Sequence, residues 1–149
     1  MPDAIQLVIV TPERQLLSER VSEVNLPGAE GELGVLPGHA PLITELGIGQ
    51  LQFRRTSDGG AEPIAVIRGF AEVLADRVTV LAETAEKAEE IDVERAKTAL
   101  ERAEKRIAAG SGTQDIDWDR ATAALQRAMV RLKVAEYAPR KRSAAVPGQ

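Results

Sequence analysis

The chain has 149 residues, enough for one or two small domains. It holds no cysteine and a single histidine, His39, which excludes disulfides, thiolate chemistry and a histidine-built metal centre within one chain. Aromatic residues are 3% of the chain and the net charge is −4, which argues against stacking platforms for nucleic acid and leaves a core of aliphatic and alanine side chains.

Residues 4 to 82 predict a series of short strands. Ile5 to Val10 is apolar and β-branched, Val21 to Leu26 repeats apolar residues near strand period, and Gln50 to Arg54 alternates. Ile64 to Ile67, Phe70 to Leu74 and Val78 to Ala82 follow as three more. Thr11-Pro12, Pro27-Gly28, Pro37-Gly38, Asp58-Gly59-Gly60 and Asp76-Arg77 supply the turns. No amphipathic segment of helical length lies between the strands. That excludes βαβ units and points to an all-β N-terminal sandwich. The stretch Pro27 to Leu42 is rich in Gly and Pro and reads as a rigid surface loop, suited to a partner contact rather than to chemistry.

From about Glu83 the character changes, and Gly and Pro vanish until Gly110. Asp92 is a helix N-cap with Glu94 in the first turn. Val93, Ala96, Leu100, Ala103 and Ile107 then alternate at three and four residues, the spacing of a helix–helix seam. Gly110-Ser111-Gly112 stops this helix, and Asp117 opens a second with a seam of Trp118, Ala121, Leu125, Ala128, Leu132 and Ala135, ended by Pro139. The two helices repeat one another: Ile91-Asp92-Val93-Glu94-Arg95-Ala96 matches Ile116-Asp117-Trp118-Asp119-Arg120-Ala121, and Arg102 and Arg106 match Arg127 and Arg131. The expected division is a β-sandwich over 1–86, an all-α antiparallel two-helix hairpin over 87–138, and a tail without packed structure over 139–149. Alanine buries little area, so this hairpin depends on docking against the sandwich or a partner. From Asp117 onward there are seven basic and three acidic residues, a net of +4 that leaves −8 for the rest of the chain. A basic arm on an acidic body either meets an acidic partner or balances its own body.

Enzyme chemistry finds no support in this pattern. No serine, histidine and acid set is present, and the Gly/Pro stretch lacks the Gly-Lys-Ser/Thr ending of a phosphate loop. No apolar run approaches membrane-spanning length, and no basic-then-apolar leader opens the chain, so the expectation is a soluble cytoplasmic protein that meets a membrane only through partners. Taken alone, these residues also suit a generic interaction adaptor built of a sandwich and a helical hairpin.

Three segments narrow the reading. Pro27-Gly28-Ala29-Glu30-Gly31-Glu32-Leu33-Gly34-Val35-Leu36-Pro37-Gly38-His39-Ala40-Pro41-Leu42 closely resembles the signature of the epsilon subunits of F-type ATP synthases. So do Gly69 to Val73 leading into Val78 to Ala82, and Ile91 to Ala96. The resemblance runs from residue 5 to about residue 137, in the family's order. It implies a non-catalytic central-stalk (rotor) subunit of a proton-translocating synthase, at the cytoplasmic face of a bacterial cell membrane. The sandwich would bind the gamma subunit and the c-ring, with Glu30, Gly31 and Glu32 in the c-ring-facing region and His39 near the gamma-facing one. The helical pair would fold down or extend into the catalytic head, where Arg120, Arg127, Arg131 and Lys133 would meet acidic parts of the beta subunits and inhibit ATP hydrolysis. No cofactor is required. A regulatory ATP is the one ligand implied, through Glu86, Asp92, Arg95, Arg127 and Arg131: Ile91, Asp92, Arg95 and Ala96 match the [Ile/Leu]-Asp-x-x-Arg-Ala motif of the bacterial members that bind it, and arginine forks suit phosphate.

Overall fold

The computed structural model describes residues 2–110 and 117–137. The chain divides after Lys87 into two compact units. The first holds six strands: β1 (Ile5–Val10), β2 (Gln15–Gly28), β3 (Gly31–Val35), β4 (Leu42–Arg55), β5 (Ala61–Val73) and β6 (Arg77–Lys87). They hydrogen-bond in the order β1-β6-β5-β4-β2-β3, and β1 also pairs with β2. That extra pairing closes five strands into a ring, with β3 added beside the second half of β2. Only β1 and β6 run parallel. The all-β sandwich read from the sequence is the fold observed.

The core forms where apolar residues recur at strand period. Ile5, Leu7 and Ile9 of β1 are fully buried, as are Val78 and Val80 of β6, Leu51 of β4 and Ile64 of β5. Each such side chain contributes roughly 1.5–3 kcal/mol on leaving water. The inward-facing set then changes parity along three neighbouring strands. It passes from Leu46 to Leu51 in β4, from Val66 to Ala71 in β5 and from Ala82 to Ala85 in β6. The register rows Leu46–Gly69–Ala82 and Ile48–Ile67–Thr84 lie at this change, so the three strands turn one shared corner. Arg68 (φ 58°) and Gly69 (φ 147°) mark it on β5. The sequence therefore suggests two strands, Ile64 to Ile67 and Phe70 to Leu74, where one long strand bends.

Two further expectations are corrected. The Pro27 to Leu42 segment is not all loop, because Gly31–Val35 pairs with β2 as strand β3. The last strand does not stop near Ala82 but runs to Lys87.

At the tip between β4 and β5 a buried ion pair fastens the strand ends. Arg55 Nη1 donates to Glu62 Oε1, and Glu62 is only 3% exposed. The same guanidinium bonds Asp58 at 3.2 Å and lies 5.9 Å from the centroid of the Phe53 ring. The backbone N–H of Gly60, donated to Asp58 at 2.8 Å, and the nearby Arg55 charge hold the Asp58 carboxyl below its usual range.

The second unit opens with a 3₁₀ turn, Ala88–Glu90, followed by α1 (Val93–Gly110) and α2 (Trp118–Ala135). The helices pack on each other as the expected hairpin. Ala96, Ala103 and Gly110 face the seam at seven-residue spacing, as do Ala121, Ala128 and Ala135, and all are buried. Leu100, Ile107, Leu125 and Leu132 flank them half-buried. Val93 and Trp118, placed on the seam by spacing, are instead 38% and 46% exposed. Each is the first residue of its helix, ahead of the first seam alanine. The predicted stop at Ser111 and Gly112, the end at Pro139 and the tail 139–149 lie outside the described residues.

Candidate functional site

The Gly/Pro segment makes two separate features. Ala29 and Glu30 are the two-residue turn of the β2–β3 hairpin, and Gly28 pairs with Gly31 across it. A Cβ on Gly28 would lie 2.5 Å from the Gly31 carbonyl oxygen, and Gly31 holds φ 138°, so this turn needs glycine on both sides. Glu30 and Glu32 project from the hairpin exposed. After β3 the chain crosses back through Leu36 to Pro41. Gly38 donates its N–H to the Ala75 carbonyl at 2.7 Å, and His39 Nδ1 lies 2.7 Å from the Ala40 carbonyl oxygen. The five residues of β3 separate Glu30 from His39 by roughly 17 Å at about 3.4 Å per residue. Glu30 and His39 therefore stand on separate surfaces at opposite ends of one strand.

On the hairpin unit the repeated motif has a local job. Asp92 Oδ1 accepts the Arg95 N–H at 3.0 Å, and Asp117 Oδ1 accepts the Arg120 N–H at 3.1 Å, so each aspartate caps its helix. Arg95, Arg102 and Arg106 lie roughly 100° around α1 from its alanine seam, at 100° per residue. Arg120, Arg127 and Arg131 hold the same positions on α2. An antiparallel pair of repeats has an approximate two-fold axis normal to the plane of its helices, so equivalent positions share one face. The arginines predicted for nucleotide and for beta-subunit contact therefore belong to one basic face. Lys133 lies on another side of α2 and pairs with Glu136 at 3.5 Å. Glu86 lies half-buried on β6, in the first unit, in register with Ala65. Substituting Asp92 separates capping from ligand binding. Asp92→Asn is expected to keep α1 stability within a few tenths of a kcal/mol, while Asp92→Ala loses about 1 kcal/mol. Amide exchange of Val93 to Ala96 reads both variants.

A third surface escapes a composition-based reading. Phe70 and Leu81 are register partners on β5 and β6, and each is 56% exposed. With Val10, Glu45, Arg68 and Glu83 they line a groove of about 450 Å³. The signal for it was parity: beyond the corner, Phe70 shares a face with Arg68 and Glu72, and Leu81 with Arg77 and Glu83.

The comparisons with known proteins follow the two units. A family model described as ATP synthase, Delta/Epsilon chain, beta-sandwich domain matches residues 4–88. The corresponding long alpha-helix domain matches residues 89–136. The chain belongs to the ATP synthase delta/epsilon family. The ATP synthase epsilon chain of Citrifermentans bemidjiense is 48% identical over 141 residues, which is 95% of this chain and 100% of that protein. That of Solibacter usitatus is 55% identical over 105 residues, covering 70% and 77% of the two chains. Among solved structures, a chain of the Euglena gracilis mitochondrial ATP synthase (OSCP/F1/c-ring) superposes with a TM-score of 0.74 at 26% identity, covering 93% of this chain and 83% of that one. A chain from the central stalk/c-ring of the Tetrahymena thermophila mitochondrial ATP synthase shares the fold, with a TM-score of 0.55 at 16% identity. The join between the two delta/epsilon domains, at residues 88 and 89, falls within one residue of the break between the compact units. The family resemblance carried by the Gly/Pro segment and the Asp-x-x-Arg-Ala repeat is thereby confirmed over residues 4–136. Among the described residues no helix is long and apolar enough to cross a membrane.

Proposed function

We propose that this chain is a non-catalytic rotor subunit of a proton-translocating F-type ATP synthase. It joins the catalytic head to the c-ring within the central stalk, peripheral to the cytoplasmic face of a bacterial membrane. Its sandwich binds the gamma subunit and the c-ring, and its helical hairpin restrains ATP hydrolysis. The observation that carries this reading is the match of both delta/epsilon domains, in order, together with an epsilon-chain relative aligned along its whole length.

The geometry supports each part. The Glu30–Glu32 hairpin and the His39 segment offer two contact surfaces at opposite ends of β3. The arginine face suits carboxylates of the catalytic head, because guanidinium groups stay charged and bind carboxylate in a fork. The same face would hold the phosphates of a regulatory ATP through Arg95, Arg127 and Arg131. One oxygen of Asp92 is engaged by the helix cap, and the other remains to accept from the ribose or adenine.

The test is ATP hydrolysis by the cognate catalytic head prepared without this chain. Adding the purified chain is expected to give a complex on gel filtration and a lower hydrolysis rate. Removing residues 91–149 is expected to restore the rate while binding persists, since the sandwich unit carries its own core. A chain that never joins the head would sink the proposal.

A further inference from the structure

We infer that Asp58–Gly59, at the tip between β4 and β5, is a latent isoaspartate site that Arg55 holds shut in the folded chain. No other aspartate of the chain precedes a glycine. An aspartyl–glycyl bond is open to attack by its own backbone, because glycine has no side chain to shield its nitrogen and turns freely. The Gly59 nitrogen attacks Cγ of the neutral Asp58 carboxyl group, and a C–N bond forms there. The carboxyl hydroxyl leaves with the proton of that nitrogen as one water, and a succinimide ring remains. Water then adds back across one of the two ring C–N bonds. Cleavage at Cγ returns aspartate. Cleavage at the former main-chain carbonyl gives isoaspartate, with the backbone running through Cβ and Cγ and the α-carboxylate left as the side group. No electron is transferred, and water is the sole co-reactant. The surroundings leave room for the ring. The Asp58 side chain is 61% exposed, and Gly59 holds φ 69° with nothing within 4 Å of a Cβ there.

Hydrogen bonds on both reacting groups oppose the closure. The attacking N–H of Gly59 is donated to the Arg55 carbonyl at 3.0 Å. The Gly59 carbonyl accepts from Arg54 Nη1 at 2.8 Å, and Arg54 Nε is anchored on Glu23 of β2 at 3.1 Å. Asp58 Oδ1 accepts the N–H of Gly60 at 2.8 Å and Arg55 Nε at 3.2 Å. The carboxylate is thus turned past the Gly59 nitrogen to the donor beyond it. Arg55 acts on both reactants. Its carbonyl holds the nucleophile and its guanidinium holds the electrophile, while Glu62 of β5 fixes that guanidinium. Charge adds a second restraint, since only the neutral carboxyl can lose its hydroxyl as water. The Gly60 N–H, and after it the Arg55 charge, hold the Asp58 carboxyl in its ionised form. Ring closure therefore needs the tip to open, and alignment rather than nearness is what it lacks.

The experiment incubates the full chain at mildly acidic pH beside an unstructured peptide of residues 53–63. Isoaspartate is measured by methyl transfer from S-adenosylmethionine with a protein-isoaspartate methyltransferase, and is located at the tip by peptide mapping. The peptide is expected to accumulate isoaspartate while the wild-type chain stays aspartate. Arg55→Met with Glu62→Leu removes the guanidinium without leaving its buried carboxylate partner behind. That variant is expected to isomerise several-fold faster than wild type, yet more slowly than the peptide, because the Gly60 N–H still holds Oδ1. Urea unfolding gives the unfolded fraction of each chain, and the peptide rate multiplied by that fraction is subtracted as the share due to unfolding. The remaining difference from wild type is expected at full size above the ordinary carboxylate range. It shrinks as pH falls through the lowered Asp58 value, where both carboxyls become neutral. Asp58→Ser removes the electrophile and is expected to give no signal from this tip. A peptide that stays aspartate would remove the site. A wild-type chain as fast as the peptide would show the tip unguarded, and a double variant no faster than wild type after the subtraction would take the guard from Arg55. Each of these three results overturns the inference and leaves the proposed function standing.

Discussion

Arg55→Met is expected to destabilise the sandwich unit by about 3–5 kcal/mol, the cost of removing one partner of a buried ion pair. The residue left behind is Glu62, at 3% exposure. Its carboxylate accepts from Arg55 Nη1, and the Arg55 side chain is itself 13% exposed, so water replaces the lost donor poorly. The methionine would keep much of the packing against Phe53, which isolates the charge effect from the volume effect. Adding Glu62→Leu to Arg55→Met replaces the buried carboxylate by an apolar side chain and is expected to recover most of the loss. Exposed pairs behave differently. Arg20–Asp3 and Lys97–Glu94 are largely solvated, and breaking either changes stability by about 0–1 kcal/mol. Urea unfolding followed by far-ultraviolet circular dichroism, which sees both strands and helices, reads all four variants. Against a typical total of about 5–15 kcal/mol, the single Arg55 variant stands out in midpoint. A midpoint no lower than that of an exposed-pair variant would mean that the Glu62 carboxylate is satisfied without Arg55. Asp58, held below the usual carboxylate range by the Gly60 N–H and Arg55, adds a pH dependence. Its contribution is present above the unfolded-state value and is lost as pH falls through the lower folded-state value.

The sequence made the core strands and both helices legible because their apolar period survives the fold unchanged. Ile5, Leu7 and Ile9 alternate in the sequence and line one face in the structure. Ala96, Ala103, Ala121 and Ala128 keep their seven-residue spacing and their burial. What failed to show has a common cause. The corner reverses the alternation in β4, β5 and β6, and a reading by fixed period takes the reversal on β5 for a break. Strand β3 is masked by Gly31 and Gly34, which lower strand propensity, although a two-residue turn lets it pair. Glu62 reads as a surface acid by type. Its register partner, though, is the buried Phe53, so pairing turns it inward. Parity also shows Phe70 and Leu81 to be outward, but only once the corner is known. The helix starts at Asp92 and Asp117 were readable from local capping rules, whereas Glu30 to Glu32 were singled out by resemblance alone. The shared face of six arginines needed the antiparallel pairing as well.

Gly69→Ala is expected to cost about 3 kcal/mol or more, the sum of a strained backbone and a collision. At φ 147° the residue occupies a region that L side chains rarely adopt. The added Cβ would meet the Leu81 carbonyl oxygen at 2.2 Å and the Ala82 Cα at 2.8 Å. Both are backbone atoms of β6, and neither can move without opening the β5–β6 ladder at the corner. Gly31→Ala provides the comparison. Gly31 has a similar φ of 138° but nothing within 4 Å of the new Cβ, so that variant carries the backbone strain alone, about 1–2 kcal/mol. The difference between the two urea midpoints, at equal slope, measures the collision itself. Equal midpoints for the two variants would show that β6 yields at the corner without cost.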